Sequence, residues 1–178
     1  PNLFISEYIE GSARETAVEI YNPSAVPVVL NGEYKIRVYN SASSSTVFET
    51  VLDGVIYPND VFVLSSVVAT LSGIVSNTDQ LEMYPDYAIF RITGDDAVAL
   101  FKGNDTLDMI GKIGTDPGNY WSISGTNGVN GSTQNHTLVR DSSVQQGTTN
   151  WTVSAASQWV VYAEDEDSYI GSHYMSPC

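Results

Sequence analysis

Apolar and polar residues alternate over much of the chain, and this pattern predicts β-strands. Four runs alternate between apolar and polar residues, as half-buried strands do. Five further runs are short and rich in β-branched or aromatic residues. Turn signals such as Asn31-Gly32 and Asp53-Gly54 separate the runs. About nine or ten short strands joined by turns predict an all-β antiparallel sandwich or barrel. The predicted strands are Leu3 to Glu7, Ala17 to Tyr21, Tyr34 to Tyr39, Val47 to Leu52, Val61 to Leu64, Ala97 to Phe101, Leu107 to Ile110, Thr137 to Arg140 and Trp159 to Tyr162.

The segment from Ser65 to Leu81 departs from this alternation. Val68, Leu71 and Val75 recur there at three- and four-residue spacing, and Ser65-Ser66 precedes them as a candidate N-terminal cap. We expect one short helix in this segment, packed over an open end of the sandwich.

The segment from Thr115 to Gln134 is rich in Gly, Asn and Ser. Its main apolar residues are Trp121 and Ile123. We expect a long surface loop that these two side chains anchor.

The charge balance is strongly acidic and narrows the function classes. Seven Lys and Arg stand against 21 Asp and Glu in 178 residues, which gives a net charge of −14. Such a chain repels phosphate backbones, so nucleic-acid binding by direct electrostatics is disfavoured. No apolar run approaches the roughly 18 residues of a transmembrane helix. The 42% hydrophobic share is ample for one packed domain over residues 1–178.

The two ends of the sequence bear on the compartment. The chain begins at Pro1 with no initiator Met and no leader, as expected either after signal-peptide removal or within a longer protein. Its single cysteine is Cys178, so no internal disulfide can form. We therefore expect a secreted or extracellular protein, free or attached to the cell surface.

Three ordered blocks, which together cover nearly the whole chain, match one family. They are Leu3 to Gly11 with Ala17 to Pro23, then Gly94 to Leu100 with Leu107 to Gly114, and finally Trp159 to Tyr162 with Tyr169 to His173. In this order and spacing they resemble the lamin-tail domain of secreted bacterial proteins. The resemblance implies an immunoglobulin-like β-sandwich that is not catalytic. It also implies a module that is often attached to extracellular nucleases, phosphatases or proteases, or carried on surface proteins.

The residues of these blocks also have a structural interpretation of their own. Glu7 and Glu19 are expected on the polar faces of alternating strands, and Gly94-Asp95-Asp96 is expected in a turn. The blocks are therefore interpreted as fold determinants rather than as a site.

Familiar catalytic motifs are absent from the sequence. It contains no G-x-S-x-G nucleophile elbow, no H-E-x-x-H zinc motif and no phosphate-binding G-x-x-x-x-G-K-[ST]. His136 and His173 are predicted to be surface or packing residues, because no recognisable motif places a nucleophile beside either of them. We predict that the protein is not an enzyme.

Calcium is the one cofactor for which the sequence offers ligands. Hard cations bind oxygen, and acidic residues gather in two predicted loops. The candidate ligands are Asp95, Asp96, Glu164, Asp165 and Asp167. No EF-hand spacing occurs, and the competing interpretation is a solvated acidic surface.

Two functions from different classes fit these observations. The first is a non-catalytic structural or adhesive module that acts through protein–protein contacts, with a protein partner or with copies of itself. Aromatic residues in or next to predicted loops add a glycan as a further partner: Tyr8, Tyr120, Trp121 and Trp151. The alternative is an accessory domain of an extracellular nuclease or phosphatase whose catalytic domain lies outside this chain.

Self-assembly is expected to involve the two terminal segments. Pro1 to Tyr8 and Tyr169 to Cys178 are placed to add as strands to the sheet edge of a neighbouring subunit. The competing interpretation is that both segments complete their own sandwich.

Overall fold

The structure, a computed structural model, describes residues 2–45, 48–82 and 87–177. Within these ranges it contains fourteen strands, two short α-helices and two 3-10 turns. The strands are β1 (Phe4–Glu10), β2 (Thr16–Tyr21), β3 (Val28–Val29), β4 (Tyr34–Tyr39), β5 (Phe48–Val51), β6 (Val55–Ile56), β7 (Val61–Ser65), β8 (Gln80–Leu81), β9 (Ala97–Lys102), β10 (Asp105–Ile110), β11 (Ser122–Ser124), β12 (Asn130–Ser132), β13 (His136–Arg140) and β14 (Trp159–Tyr162). The helices are α1 (Ser72–Asn77) and α2 (Trp151–Ser157). No helix of the described residues is long and apolar enough to cross a bilayer.

The strands form two main sheets and two small ribbons. One sheet has the order β14-β13-β1-β2-β7-β8, the other has the order β10-β9-β4-β5, and the ribbons are β11-β12 and β3-β6. All neighbours are antiparallel except β7 and β8. The predicted all-β sandwich is confirmed, and each of the nine predicted runs contains a strand. The additional strands have two or three residues each, which is too few to show an alternating pattern in the sequence.

One apolar core lies between the two main sheets. Val18 and Leu64 reach it from the six-stranded sheet, and Ile36 and Leu100 reach it from the four-stranded sheet. All four side chains are fully buried. Each contributes about 1.5–3 kcal/mol by leaving water, so this core supplies the main stabilisation of the sandwich.

A second layer covers the outer face of the six-stranded sheet. Residues 163–177, called the C-terminal strap below, cross this face together with α1. Ile170 of the strap and Ile74 of α1 pack on Ile9 and Val63 of the sheet. Both faces of the sheet are therefore covered at β2, in which every residue is buried.

The helix predicted between Ser65 and Leu81 is present but is shorter and differently placed. It begins after Leu71, not after Ser65-Ser66, and it buries Ile74. Val68 and Val75, two of the residues that predicted it, are exposed. The helix lies on the outer face of the six-stranded sheet rather than over an open end, because Ile74 packs with Ile9 and Val63 there.

The segment from Thr115 to Gln134 is more ordered than the predicted loop. Trp121 and Ile123 are buried, as predicted. Residues 122–132 fold into the β11–β12 ribbon, which includes Ile123 and whose Ser, Asn and Gly residues carry no apolar alternation. Helix α2 was not predicted, although Asn150 caps it by accepting a hydrogen bond from the Val153 amide at 3.4 Å.

Both terminal segments complete the chain's own sandwich. Strand β1 lies inside the six-stranded sheet, between β13 and β2. The strap is held by hydrogen bonds, among them one of 2.7 Å from the Ser176 amide to the Ser142 carbonyl. The predicted addition of these segments to a neighbour's sheet edge is therefore not supported by their placement. Pro1, Val47 and Cys178, which the predictions also included, lie outside the described residues.

Candidate functional site

The acidic residues predicted to bind calcium serve mainly as acceptors that shape loops. Asp95 and Asp96 accept hydrogen bonds of 2.8 and 2.9 Å from the Thr93 hydroxyl. Asp165 accepts from both the amide and the hydroxyl of Ser12, at 2.8 and 2.7 Å. These contacts give each aspartate a structural role in its turn.

The remaining two predicted ligands lie on the strap. Asp167 accepts a hydrogen bond of 2.6 Å from the Gly73 amide at the start of α1. Glu164 is exposed. Burial raises the pKa of Glu10, and the charges of Glu164 and Asp96, one from each acidic loop, raise it as well. Across the described residues no group of three or more His, Cys, Asp or Glu side chains is placed to hold a metal ion. Calcium binding at these loops stays a prediction.

Two carboxylates that were expected on a solvent-facing surface are buried beneath the strap. Glu7 and Glu19 are directly opposite each other on β1 and β2, and each is 1% exposed. Glu19 accepts a hydrogen bond of 2.6 Å from the Ser6 hydroxyl and one of 2.7 Å from the Gly171 amide of the strap. Neither carboxylate oxygen of Glu7 has a hydrogen-bond partner.

The electrostatics of these two side chains follow from their burial. Burial, together with the negative charges of Glu19, Glu166 and Asp167, raises the pKa of Glu7 to about 9. Burial also raises the pKa of Glu19, to about 7, although its hydrogen bonds oppose the shift. The sequence carried no sign of this pair, because the strap that covers it comes from the far end of the chain.

A fully buried ion pair connects the two sheets. Arg140 of β13 binds Asp108 of β10, and neither side chain is exposed. Asp108 also accepts hydrogen bonds from the amides of Ile5 and Thr148, both at 2.9 Å. The Arg140 guanidinium lies 4.0 Å from the centre of the Trp159 ring. The charges of Arg140 and Asp108 neutralise each other. Because the two residues come from different sheets, their contact fixes how the sheets pack.

The two histidines occupy different environments. The Nδ1 atom of His136 lies 2.6 Å from the Gln134 carbonyl, which only accepts, so Nδ1 carries the proton and cannot take one from Ser132, 3.4 Å away. His173 lies edge-on to the rings of Phe4 and Tyr21. Burial lowers the pKa of His173 to about 4, and the charge of Arg140 contributes.

Most of the aromatic residues suggested as glycan contacts are buried. Tyr8, Trp121 and Trp151 are buried, and the Tyr8 hydroxyl donates a hydrogen bond of 2.9 Å to the Thr133 carbonyl. Tyr120 alone of the four is exposed, beside a polar groove of about 670 Å³ that His136 also lines. The predicted aromatic platform for sugar stacking is thus reduced to a single ring.

The β3–β6 ribbon presents an apolar surface to solvent. Val28 and Ile56 are opposite each other and face the core. Val29 and Val55, the next pair, face outward and are 50% and 42% exposed. Pro27 and Tyr57 continue the outward face by the two-residue period of a strand, and both are exposed. These four residues, called the ribbon face below, include no charged side chain.

The outer edge of β14 is closed by the chain itself. The Thr126 amide donates to the Trp159 carbonyl at 2.8 Å. The Asn127 side chain bonds both the amide and the carbonyl of Val161, at 3.4 and 2.9 Å. This edge of the six-stranded sheet is therefore protected against pairing with another chain.

Comparison with known proteins adds to the fold but not to the function. No family model and no curated protein matches the chain. A crystal structure of a DUF4876 family protein from Bacteroides thetaiotaomicron resembles it with a TM-score of 0.53 and 11% sequence identity. The alignment covers 99% of this chain and 72% of that one. At this identity the similarity shows a shared β-sandwich fold and nothing about activity or partners.

Proposed function

We propose that this chain is a non-catalytic, lamin-tail-like module, secreted or carried on a cell surface, that binds a protein through its ribbon face. The observation that carries the proposal is the exposed pair Val29 and Val55, flanked by Pro27 and Tyr57. Neighbouring exposed apolar residues of this kind are a common feature of protein–protein contact sites.

The composition of the ribbon face favours a protein over a sugar as its partner. Glycans are bound through hydrogen-bonding side chains beside an aromatic ring, whereas Pro27, Val29 and Val55 offer only apolar contact. Tyr57, which is 61% exposed, supplies the large aromatic side chain that often contributes most to a protein interface. A second copy of the chain is one such partner, since two ribbon faces can pack on each other about a twofold axis.

The charge of the chain predicts how such contacts respond to salt. A net charge of −14 per chain opposes the approach of two copies. Because salt screens charges separated by more than about 8 Å at physiological ionic strength, added salt strengthens self-association through an apolar surface.

The test compares a ribbon variant with a matched control. The double variant V29T/V55T keeps side-chain shape and adds a hydroxyl to each outward residue. The control V67T/V68T changes two adjacent valines of similar exposure, 48% and 44%, in the turn after β7. Sedimentation velocity over a range of salt and protein concentrations measures self-association. A photo-crosslinking residue at position 57 in secreting cells measures contact with other proteins.

We expect a complex in at least one of these two measurements, lost in V29T/V55T and kept in V67T/V68T. A ribbon face that forms no complex in either measurement refutes the binding function. Turnover of DNA, phosphate esters or peptides that disappeared in H136A or H173A would refute the non-catalytic part of the proposal.

A further inference from the structure

Glu7 differs from other buried carboxylates of this chain in having nothing to neutralise it. Glu15 accepts hydrogen bonds from the amides of Thr70 and Leu71, at 2.8 and 3.1 Å. Glu82 accepts from two amides, at 2.7 and 2.8 Å. Asp108 has Arg140 and three amides. Glu7 is equally buried, yet both of its oxygens lack a donor.

The surroundings of Glu7 are acidic as well as closed. Glu19 leaves the same face of the sheet directly opposite, and the charges of Glu166 and Asp167 on the strap act on Glu7. Among the described residues, no Lys or Arg side chain forms an ion pair with Glu7. A buried carboxylate costs several kcal/mol of free energy unless a proton, a donor or a cation neutralises it.

From this geometry we infer that Glu7 and Glu19 form the floor of a divalent-cation site that the C-terminal strap closes. The unpartnered oxygens of Glu7 supply two ligand positions, and Glu19 supplies a third. Oxygen-only ligands and an irregular arrangement suit calcium, which accepts six to eight oxygens and variable geometry, better than magnesium, which requires a near-ideal octahedron.

The strap provides the ligands that complete the shell. Asp167 and Glu166 lie on it, and Gly171 already fastens it to Glu19 through a hydrogen bond of 2.7 Å. No three described carboxylates are already placed together to hold an ion, so the proposed site requires Glu166 or Asp167 to turn from its present hydrogen bond with Ser168 or Gly73 towards Glu7. A bound cation thereby joins β1, β2 and the strap. This site takes Glu166 and Asp167 from the acidic run that contains Asp165, but it does not involve Asp95 or Asp96 and is independent of the ribbon face.

The first experiment measures thermal unfolding of the whole chain in chelator and in millimolar calcium. At a calcium concentration one hundred times the dissociation constant, we expect the wild-type Tm to rise by about 5–10 °C. We expect the rise to disappear in E7Q, whose side chain has the same shape without the charge. D105N removes one exposed charge from the other sheet, and D95N removes one from the predicted loop, and both should keep the rise.

The second experiment locates the ion without any substitution. Hydrogen exchange of the wild-type chain, with and without calcium, should slow at residues 5–8 and 164–171. Protection at 93–96 instead, or a calcium response that survives E7Q, overturns the inference. So does an unchanged wild-type Tm up to 10 mM calcium at pH 7–9, a concentration about ten times the dissociation constant of the weakest extracellular calcium sites, because Glu7 is then neutralised by a proton alone.

Discussion

Replacing Asp108 with asparagine should destabilise the fold severely, because Asp108 is the negative member of the buried ion pair. Its two oxygens face only donors, namely Arg140 and the amides of Ile5, Met109 and Thr148. Asparagine has the same shape, but one of its two terminal atoms donates, so it meets at least one of these donors head-on. It also leaves the Arg140 charge uncompensated.

The expected cost follows from the burial of both partners. Removing one member of a buried ion pair costs about 3–5 kcal/mol, a large part of the 5–15 kcal/mol that stabilises a typical domain. For a chain of this length that corresponds to a fall in Tm of roughly 6–20 °C. Arg140 adds to the cost, because its guanidinium is stacked on Trp159 and fully buried, where an unpaired cation is most unfavourable.

Urea unfolding followed by tryptophan fluorescence and circular dichroism measures this change. D105N on the same strand is the matched control, because Asp105 is exposed and its loss should change the free energy of unfolding by no more than about 0.5 kcal/mol. If D108N unfolds within 1 kcal/mol of the wild type, with an unchanged dependence on urea, the ion pair does not hold the sheets together.

Three further outcomes are expected. In chelator, E7Q should be more stable than the wild type by about 3 kcal/mol at pH 7. The pKa of Glu7 rises from 4.5 to about 9 on folding, so the stability of the wild type falls as pH rises across that window. Equal slopes of Tm against pH for the two proteins would contradict this. The lowered pKa of His173 predicts a loss of stability as pH falls from 6.5 through about 4, and H173F should lack that loss in acid unfolding curves. G111A should lower the free energy of unfolding by about 1–3 kcal/mol more than G103A does. Both glycines have positive φ, but a Cβ at position 111 would lie 2.7 Å from the Trp121 indole nitrogen, whereas a Cβ at position 103 would have no neighbour within 4 Å. Calorimetry on both variants measures the difference.

The strands were predictable because their pattern is local. Tyr34–Tyr39 alternates buried and half-buried residues over its first five positions, and the sequence period alone shows this. The two-residue strands β3, β6 and β8 could not be found in this way, since pairing with distant residues defines them rather than any period of their own. The strap could not be predicted either, because its sequence is typical of an acidic loop.

The position of helix α1 shows a limit of apolar spacing as a signal. Val68, Leu71 and Val75 have helical spacing, but Ile74 is the buried side chain of the helix that packs on the sheet. Packing on the outer face of the six-stranded sheet, rather than local spacing, determines which apolar side chain of the helix is buried. That face exists only where β1, β2 and β7 are paired, so the local sequence cannot show it.

The two places where sequence rules and structure disagree most are the two for which we propose functions. A strand residue facing solvent should be polar, yet Val29 and Val55 face outward. A residue on the polar face of an alternating strand should be solvated, yet Glu7 is sealed under the strap. Violations of this kind are expected at functional sites, because elsewhere a more stable residue serves equally well.

The E7Q variant distinguishes a structural role of Glu7 from a binding role. If the glutamate only completed the fold, glutamine would satisfy the position with the same shape and without a charge to bury. Greater stability of E7Q in chelator, together with loss of the calcium-induced rise in Tm, means that the chain keeps a destabilising carboxylate for what it binds. Greater stability of E7Q with no calcium response in the wild type means instead that Glu7 carries a proton. The strap then loosens as pH rises towards 9, and no ion is involved.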